Sequence, residues 1–429
     1  MKVRFVEDRL YMCIDLKSFY ASVECVERGL DPFKTDLVVA DPARSKGTIC
    51  LAITPAMKAK GVKNRCRVYE IPLGMKYITA PPRMQLYIDY STRIYGIYLE
   101  FFAEEDIYVY SIDEVFIDIR PYLRYYGKTA RQLGQLVISR IYEVTGIRAT
   151  CGIGTNLYLA KIALDIVAKH ASDFIGFLDE ESYRQKLWTH EPLTDFWNVG
   201  PGITRRMNRH GLYNMKDIAL CDENIIYEEM GVNGELLIDH AWGKESVTMA
   251  DIKSFKPKSK SLSSGQILMR DYKFAEGMVI VKEMADLLCL KLTKGKKATK
   301  FISLLISYSH NYETAPAHGS VSLNYGISSA SRIVPLLAKL YERITDRNLP
   351  IRRVDISLEL CDQKLDRQLS IFEDPEDHIK EEKQERIQNA INYIKDRYGK
   401  NSILKAMNYL DGATTRERNG QIGGHRSGN

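Results

Sequence analysis

Hydrophobic positions along the chain gather into short unbroken runs, separated by stretches of helical period, and this alternation predicts the elements. Residues 11–16, Tyr-Met-Cys-Ile-Asp-Leu, read as a buried strand closed by an acid. Residues 18–28 place Phe19, Val23 and Val26 on one stripe, which predicts a helix. Residues 37–40 and 48–53 are short strand candidates. Two β-rich runs, 107–110 and 115–119, meet at Ser111-Ile-Asp-Glu114 and predict a hairpin with carboxylates at its tip. A helix over 132–145, a strand over 149–153 and a helix over 156–169 follow, the last opening after Gly152-Ile-Gly154. This order predicts an α+β sandwich, with helices on one face of a mixed or antiparallel sheet.

Further on, residues 181–242 are helix-rich around Val199-Gly-Pro-Gly202, and 249–257 read as a polar linker. Residues 263–360 alternate β-rich runs (301–308, 354–360) with helices (276–292, 330–348), which predicts a second, smaller α+β domain. From Asp362 the chain turns polar, with one charged helix over about 378–398 and a Gly/Arg-rich end expected to be disordered. No internal repeat of about 20–50 residues is visible, which sets solenoids and propellers aside.

The 429 residues suggest about three domains, and 45% hydrophobic with 27% charged residues excludes a wholly disordered or collagen-like chain. The start has no apolar core of signal-peptide length and no run approaches a membrane span, so a cytoplasmic protein without a membrane partner is expected. Eight cysteines contain no Cys-x-x-Cys pair and eight histidines no His-x-x-x-His pair, so neither a disulfide framework nor a zinc site is indicated. The chemistry is left to carboxylates and basic groups.

Charge is unevenly placed. Residues 256–361 hold 17 Lys and Arg against 9 Asp and Glu, whereas the rest of the chain holds 44 against 46. Lys291, Lys294, Lys296, Lys297 and Lys300 fall within ten residues. Such a patch suits a polyanion, nucleic acid being the commonest, although a solvated lysine-rich loop has the same composition.

Asp15 closes one predicted strand, and Asp113 and Glu114 sit on a hairpin about a hundred residues later. Should the sheet bring them to one edge, three carboxylates suit Mg²⁺, and two such ions stabilise both attacking and leaving oxygens in phosphoryl transfer. Spacing alone equally allows Asp15 to cap the next helix and the other two to decorate a turn.

Asp15-Leu-Lys-Ser-Phe-Tyr-Ala-Ser-Val-Glu24 together with Ser111-Ile-Asp-Glu114 resembles the Y-family (translesion) DNA polymerases, closest to the UmuC/DinB-like bacterial group. The likeness extends through Gly152-Ile-Gly-Thr-Asn156, the glycine-turn segment and the basic region. It implies an α+β multidomain right-hand polymerase: a ferredoxin-like palm (1–19 and 79–178), small fingers (20–78), a helical thumb with a helix-hairpin-helix (179–248), a linker (249–257), an α+β little finger (258–361) and a C-terminal tail (362–429).

By the same resemblance Asp15, Asp113 and Glu114 are the catalytic carboxylates for two Mg²⁺ ions, with the Leu16 carbonyl as a further ligand. Tyr20 matches the steric gate, whose ring accepts a 2′-hydrogen and clashes with a 2′-hydroxyl; Phe19 beside it reads as core. Lys169 matches a lysine that contacts the triphosphate, and Lys161 reads as a solvated helix lysine. In the fingers, Pro55 and Lys58 stand where the family has Tyr and Arg. Lys58 still supplies charge for the nucleotide, without the bidentate fork of arginine. Arg44 and Lys46 are nearby candidates to compensate.

For DNA, Gly200 and Gly202 open a helix whose amides suit a phosphate, reinforced by Arg205 and Arg206. Lys294, Lys296 and Lys297 are expected to grip the backbone, so that neutralising them makes the salt dependence of binding shallower. Gln368-Leu-Ser-Ile-Phe372 resembles a sliding-clamp peptide, with Gln368, Leu369, Ile371 and Phe372 as the docking residues; its alternative is a strand end packed on the preceding domain.

The resemblance therefore implies a monomeric, low-processivity, template-directed DNA polymerase for translesion synthesis in DNA repair and the SOS response. Its partners are primer–template DNA, deoxynucleoside triphosphates and the sliding clamp. A non-catalytic clamp- and DNA-binding accessory protein that kept the fold stays open because of the altered fingers. A nucleotide cyclase sharing the palm layout leaves the basic region without a role.

Overall fold

The computed structural model describes residues 9–257, 260–362 and 375–428. Two compact units make up the chain: one runs to Phe255 and takes in the end from Ser427, the other spans Lys256–Arg426.

The strands of the first unit are β1 (Tyr11–Leu16), β2 (Leu37–Val39), β3 (Ala52–Ile53), β4 (Ile78–Ala80), β5 (Ile107–Val109), β6 (Glu114–Asp118), β7 (Ala149–Gly154) and β8 (Ile175–Leu178). They form a five-stranded sheet of order β5-β6-β1-β7-β8 and a small sheet of order β3-β2-β4. Central β1 runs antiparallel to both β6 and β7, while β7 and β8 are parallel, giving the mixed sheet the sequence predicts. In this register Asp15 lies opposite both Glu114 and Thr150, and Cys13 opposite Phe116 and Gly152. Directly opposed residues share a face, so Asp15, Glu114 and Cys13 point to the same side.

Helices cover both faces of this sheet, not one as expected. The helix Ala130–Thr145 packs through Gly134 against Met12, Cys151 and Ile153. On the other face, the helix Leu157–Ile162 lies against Gly152 and Gly154. A Cβ at Gly152 would come within 2.2 Å of the Ala160 carbonyl and the Leu164 amide, so only glycine admits the helix this close. That close approach sets how far the helix's side chains reach into the site.

Several predicted elements shift. The hairpin strand begins at Glu114 itself, which leaves only Tyr110 to Asp113 at the tip. The helix predicted over 156–169 starts regularly, capped by Asn156 Oδ1 accepting from the Leu159 amide at 2.7 Å. It then widens into a π-turn over Ala163–Val167 and tightens to 3₁₀ over Ala168–His170. The strand predicted over 48–53 shrinks to β3 because its first half pairs elsewhere: Ile49 bridges Arg67, and the Cys50 amide donates to the Cys66 carbonyl at 2.8 Å. A helix, Pro55–Ala59, follows directly.

Helices Glu180–Leu187, Pro201–Arg209, Met215–Leu220, Glu223–Met230 and Gly234–Ala241 share an apolar core that includes Tyr183, Met207, Met215 and Ile226. The segment expected as a linker is mostly helix: Thr248 caps Met249–Ser254, whose Met249 and Ile252 pack with Tyr11, Phe116 and Trp197. A methionine and an isoleucine three apart behind a Thr-x-x-Asp cap outweigh the polar composition.

In the second unit β9 (Ser261–Tyr272), β10 (Lys297–Tyr308), β11 (Ala317–Ile327) and β12 (Ile351–Asp362) form an antiparallel sheet of order β11-β10-β12-β9. Helices Phe274–Lys294 and Ala330–Ile344 share one core with it. The charged helix forms as expected, as Pro375–Tyr398, whereas the Gly/Arg-rich end, expected to be disordered, folds into a helix, Thr415–Asn419, and a small hairpin, Gln421–Ile422 with His425–Arg426. Its anchor is Glu283, 2% exposed, which accepts from Asn408 Nδ2 at 2.7 Å and from the Thr414 and Thr415 amides at 2.8 and 3.2 Å. A buried carboxylate reading a loop's amides leaves no hydrophobic signature, which is why composition misses it.

Candidate active site

Asp15 and Glu114 lie at one end of the five-stranded sheet, on the face covered by the helix Leu157–Ile162, and Asp113 precedes Glu114 at the hairpin tip. Asp15 and Glu114 are direct cross-strand neighbours. Asp113 adjoins them: its carbonyl accepts from the Leu16 amide at 3.0 Å, and its carboxylate from Ser111 Oγ at 2.7 Å. Ser91 Oγ donates to the Ile112 carbonyl at 2.6 Å and ties the tip to the helix Met84–Leu99. A shallow cavity of about 200 Å³ lies beside this tip, lined by Leu16, Ser91, Tyr95, Tyr98, Asp113 and Glu114.

The acids are not equivalent. Burial pushes the Asp15 carboxyl up to about 7; Asp113 and Glu114 push the same way, while Lys169 and Lys161 oppose them. Glu114, 8% exposed, is already engaged: Lys161 Nζ lies 2.8 Å from Oε1 and 2.9 Å from Oε2, and Cys13 Sγ donates to Oε1 at 3.2 Å. Among the described residues, no three His, Cys, Asp or Glu side chains converge as a ready metal cluster. The donor chemistry nevertheless fits a hard divalent cation at Asp15 and Asp113: burial first, then the neighbouring acids, raise the Asp15 carboxyl, and such a cation would favour its charged form. Glu114 borders this pair, with its oxygens turned to lysine.

Lys161 corrects the expectation of a solvated lysine. It is 8% exposed and bonds Glu114 and Asp165, and although burial works against its charge, Cys13, Asp165 and Glu114 together hold its ammonium above the ordinary range. The sequence carried a signal: Lys161 stands between Ala160 and Leu164 on the helix face that packs on the sheet.

Lys169 Nζ pairs with Asp165 Oδ1 at 2.9 Å, and its charge acts on Asp15. Lys58 lies in the last turn of the helix Pro55–Ala59; burial lowers its ammonium, Asp15 opposes that, and Lys169 adds to it. Sequence reasoning missed Lys17. Its ammonium sits 4.5 Å from the Phe174 ring centroid and is lowered by burial, then by Lys169 and Lys58. Lys17, Lys58 and Lys169 are thus each in electrostatic reach of Asp15, whereas Arg44 pairs with Asp41 at 3.6 Å.

Phe19 is buried, as expected. Half-buried Tyr20 stacks on Tyr87, whose hydroxyl donates to Glu24 Oε1 at 2.8 Å. Glu24 is fully buried, accepts from Arg83 at 2.9 and 2.8 Å, and pairs with Arg28.

Gly200 caps the helix Pro201–Arg209 in extended conformation, and nothing lies within 4 Å of a Cβ built at Gly200 or Gly202. Arg205 is exposed. Arg206 turns inward and donates to the Glu229 carbonyl at 2.7 Å. In the second unit, Lys294 Nζ pairs with Asp396 at 2.7 Å, Lys297 pairs with Asp362, and exposed Lys296 occupies the intervening turn at φ 50°. Gln368, Leu369, Ile371 and Phe372 lie outside the described residues. No helix among the described residues is long and apolar enough to cross a membrane.

A family model described as the impB/mucB/samB family matches residues 14–165, and one for that family's C-terminal domain matches residues 259–371. The putative UV-damage repair protein UvrX of Bacillus subtilis (strain 168) is 30% identical over 420 residues, 97% of each chain. DNA polymerase IV 2 of Halalkalibacterium halodurans is 28% identical over 420 residues, 97% of this chain and 99% of that one. Among solved structures, the Y-family DNA polymerase chimera Dbh-Dpo4(243-245)-Dbh matches with a TM-score of 0.63 at 20% identity, over 82% of this chain and 98% of the other; at that identity the likeness bears on the fold alone.

Proposed function

The chain belongs to the Y-family of DNA polymerases, and from that premise we propose that it carries out template-directed, low-processivity translesion synthesis at the sheet end holding Asp15, Asp113 and Glu114. Enzymes of this family are DNA-directed DNA polymerases and metal-dependent nucleotidyltransferases, so DNA and deoxynucleoside triphosphates are the substrates. Asp15 and Asp113 would hold the cation, Glu114 adjoining. A divalent ion bound there supplies charge neutralisation and activation of the primer 3′-hydroxyl; two Mg²⁺ ions are the proposed complement.

The observation carrying this reading is the direct opposition of Asp15 and Glu114 beside Asp113, with the Asp15 carboxyl raised to about 7. Lys17, Lys58 and Lys169 attract and orient the triphosphate around those acids, adding donors where Pro55 offers neither a hydroxyl nor an amide. Tyr20 lies under the incoming sugar and excludes a 2′-hydroxyl. On this reading the palm is 1–19 and 79–178, the fingers 20–78 and the thumb 179–248, with the little finger beginning near 258. The thumb's Gly200–Gly202 turn and Arg205 hold template phosphates, while Arg206 keeps the thumb's shape. The lysines near 294–297 grip the duplex, and the peptide 368–372 docks on the sliding clamp in a damage-induced (SOS) setting.

Primer extension with Asp113→Ala tests the site. Nucleotide addition is expected to fall by at least about a thousandfold while primer–template binding persists. Unchanged extension would remove the assignment.

A further inference from the structure

Asp165 sits where the helix after β7 changes pitch. On a regular helix Lys161 and Lys169, eight residues apart, would stand about 80° apart around the axis. Between them the helix widens into the π-turn Ala163–Val167. Asp165 stands four residues from each lysine, the spacing at which helix side chains meet, so both ammonium groups reach one carboxylate: Lys161 Nζ lies 3.0 Å from Asp165 Oδ2 and Lys169 Nζ 2.9 Å from Oδ1. Lys161 continues to Glu114 at 2.8 Å. A line of alternating charge, Glu114–Lys161–Asp165–Lys169, joins the acidic sheet end to the lysine beside it.

We propose that Asp165 is a positioning residue for nucleotide binding, holding Lys169 beside Lys161 and presenting it to the triphosphate. The proposal rests on the reading of Lys169 as a triphosphate ligand. Two ammonium groups repel, and Asp165 is the shared counter-charge that lets them stand together. Lys169 is the more exposed of the two, its side chain 44% accessible against 10% for Lys161, so without Asp165 its four-carbon stem samples many rotamers. An ammonium has three donors; Lys169 spends one on Asp165 and keeps two for phosphate oxygens. Lys161 retains both contacts to Glu114 when Asp165 is neutralised, so the acidic sheet end is preserved. The consequence falls on nucleotide affinity and spares the chemical step.

The test is single-nucleotide primer extension by the full chain, titrating deoxynucleotide with wild type, Asp165→Asn, Asp165→Glu, Lys169→Ala and the Asp165→Asn/Lys169→Ala double variant. Asp165→Asn is expected to raise the nucleotide KM about tenfold with kcat within about twofold, the loss of one charge-assisted bond. Asp165→Glu, which keeps the charge, should recover most of that. The double variant should bind nucleotide no worse than Lys169→Ala alone. If Lys169→Ala raises KM but Asp165→Asn does not, the positioning role fails and the lysine's role stands. An equal further rise in the double variant would also overturn it, because the effect would bypass Lys169. If Lys169→Ala leaves KM unchanged, the lysine reading itself falls and takes the proposal with it.

Discussion

Tyr20 lies flat against Tyr87, with ring centroids 4.5 Å and planes 17° apart, and the Tyr87 hydroxyl is fixed by the buried carboxylate of Glu24. A gate excludes a hydroxyl only as well as its ring is held, so with Tyr20 as the proposed gate sugar selectivity should depend on Tyr87 as well. Tyr20→Ala should raise ribonucleotide use relative to deoxyribonucleotide by roughly two orders of magnitude, and Tyr87→Leu by about tenfold. Tyr87→Phe keeps the stack and should cost less than Tyr87→Leu. Relative kcat/KM for the two sugars measures each, and wild-type selectivity in Tyr87→Leu would contradict the supporting role.

Glu24 should also set part of the acid stability. Burial alone would raise its carboxyl, but bonds from Arg83, Arg28 and Tyr87 outweigh that and hold it below the ordinary 4.5. The stabilisation is therefore fully present above about pH 4.5 and is lost as pH falls through the lower folded-state value. Glu24→Gln should destabilise by about 3 kcal/mol at pH 7 by leaving two guanidinium groups uncompensated. The gap to wild type in thermal unfolding should narrow steadily below pH 4. A pH-independent gap would show that packing, not charge, is what the substitution removes.

Hydrophobic periodicity made much of the first unit readable, because β1, β6 and β7 are short apolar runs in a sheet covered on both faces. What it could not supply was the pairing across a hundred residues that sets Asp15 opposite Glu114; only the resemblance suggested that. The π-turn escaped because its residues read as ordinary helix. Lys161 was read as solvated because its own charge outweighed the signal of Ala160 and Leu164, which mark that helix face as packed. The ordered C-terminal end was missed for a different reason: its anchors are Glu283, Gln388 and Asn408, polar side chains that composition assigns to solvent.

Glu283 offers a direct measure of how firmly that end is held. Its side chain satisfies Asn408 Nδ2 and the amides of Thr414 and Thr415 at once. Glu283→Ala leaves these donors without an acceptor and should cost about 3 kcal/mol in the second unit, with Glu283→Gln costing less. Proteolysis should then cut first between residues 400 and 426. Wild-type protease resistance in Glu283→Ala would mean that the segment is held by its apolar contacts.

Salt dependence separates the lysines of the second unit, since only charges that reach phosphate release counterions. Lys294 and Lys297 are already paired with Asp396 and Asp362, and each must give up a carboxylate before it can meet DNA. Lys296 stands exposed in the turn between them. Replacing Lys296 with alanine should therefore lower the slope of log affinity against log salt by about 1, whereas the same change at Lys294 or Lys297 should lower it by less. Asp396→Ala, which frees Lys294, should steepen the slope. Binding of a primer–template across a salt series decides the matter, and equal effects at all three lysines would mean that these ion pairs dissolve on contact with DNA.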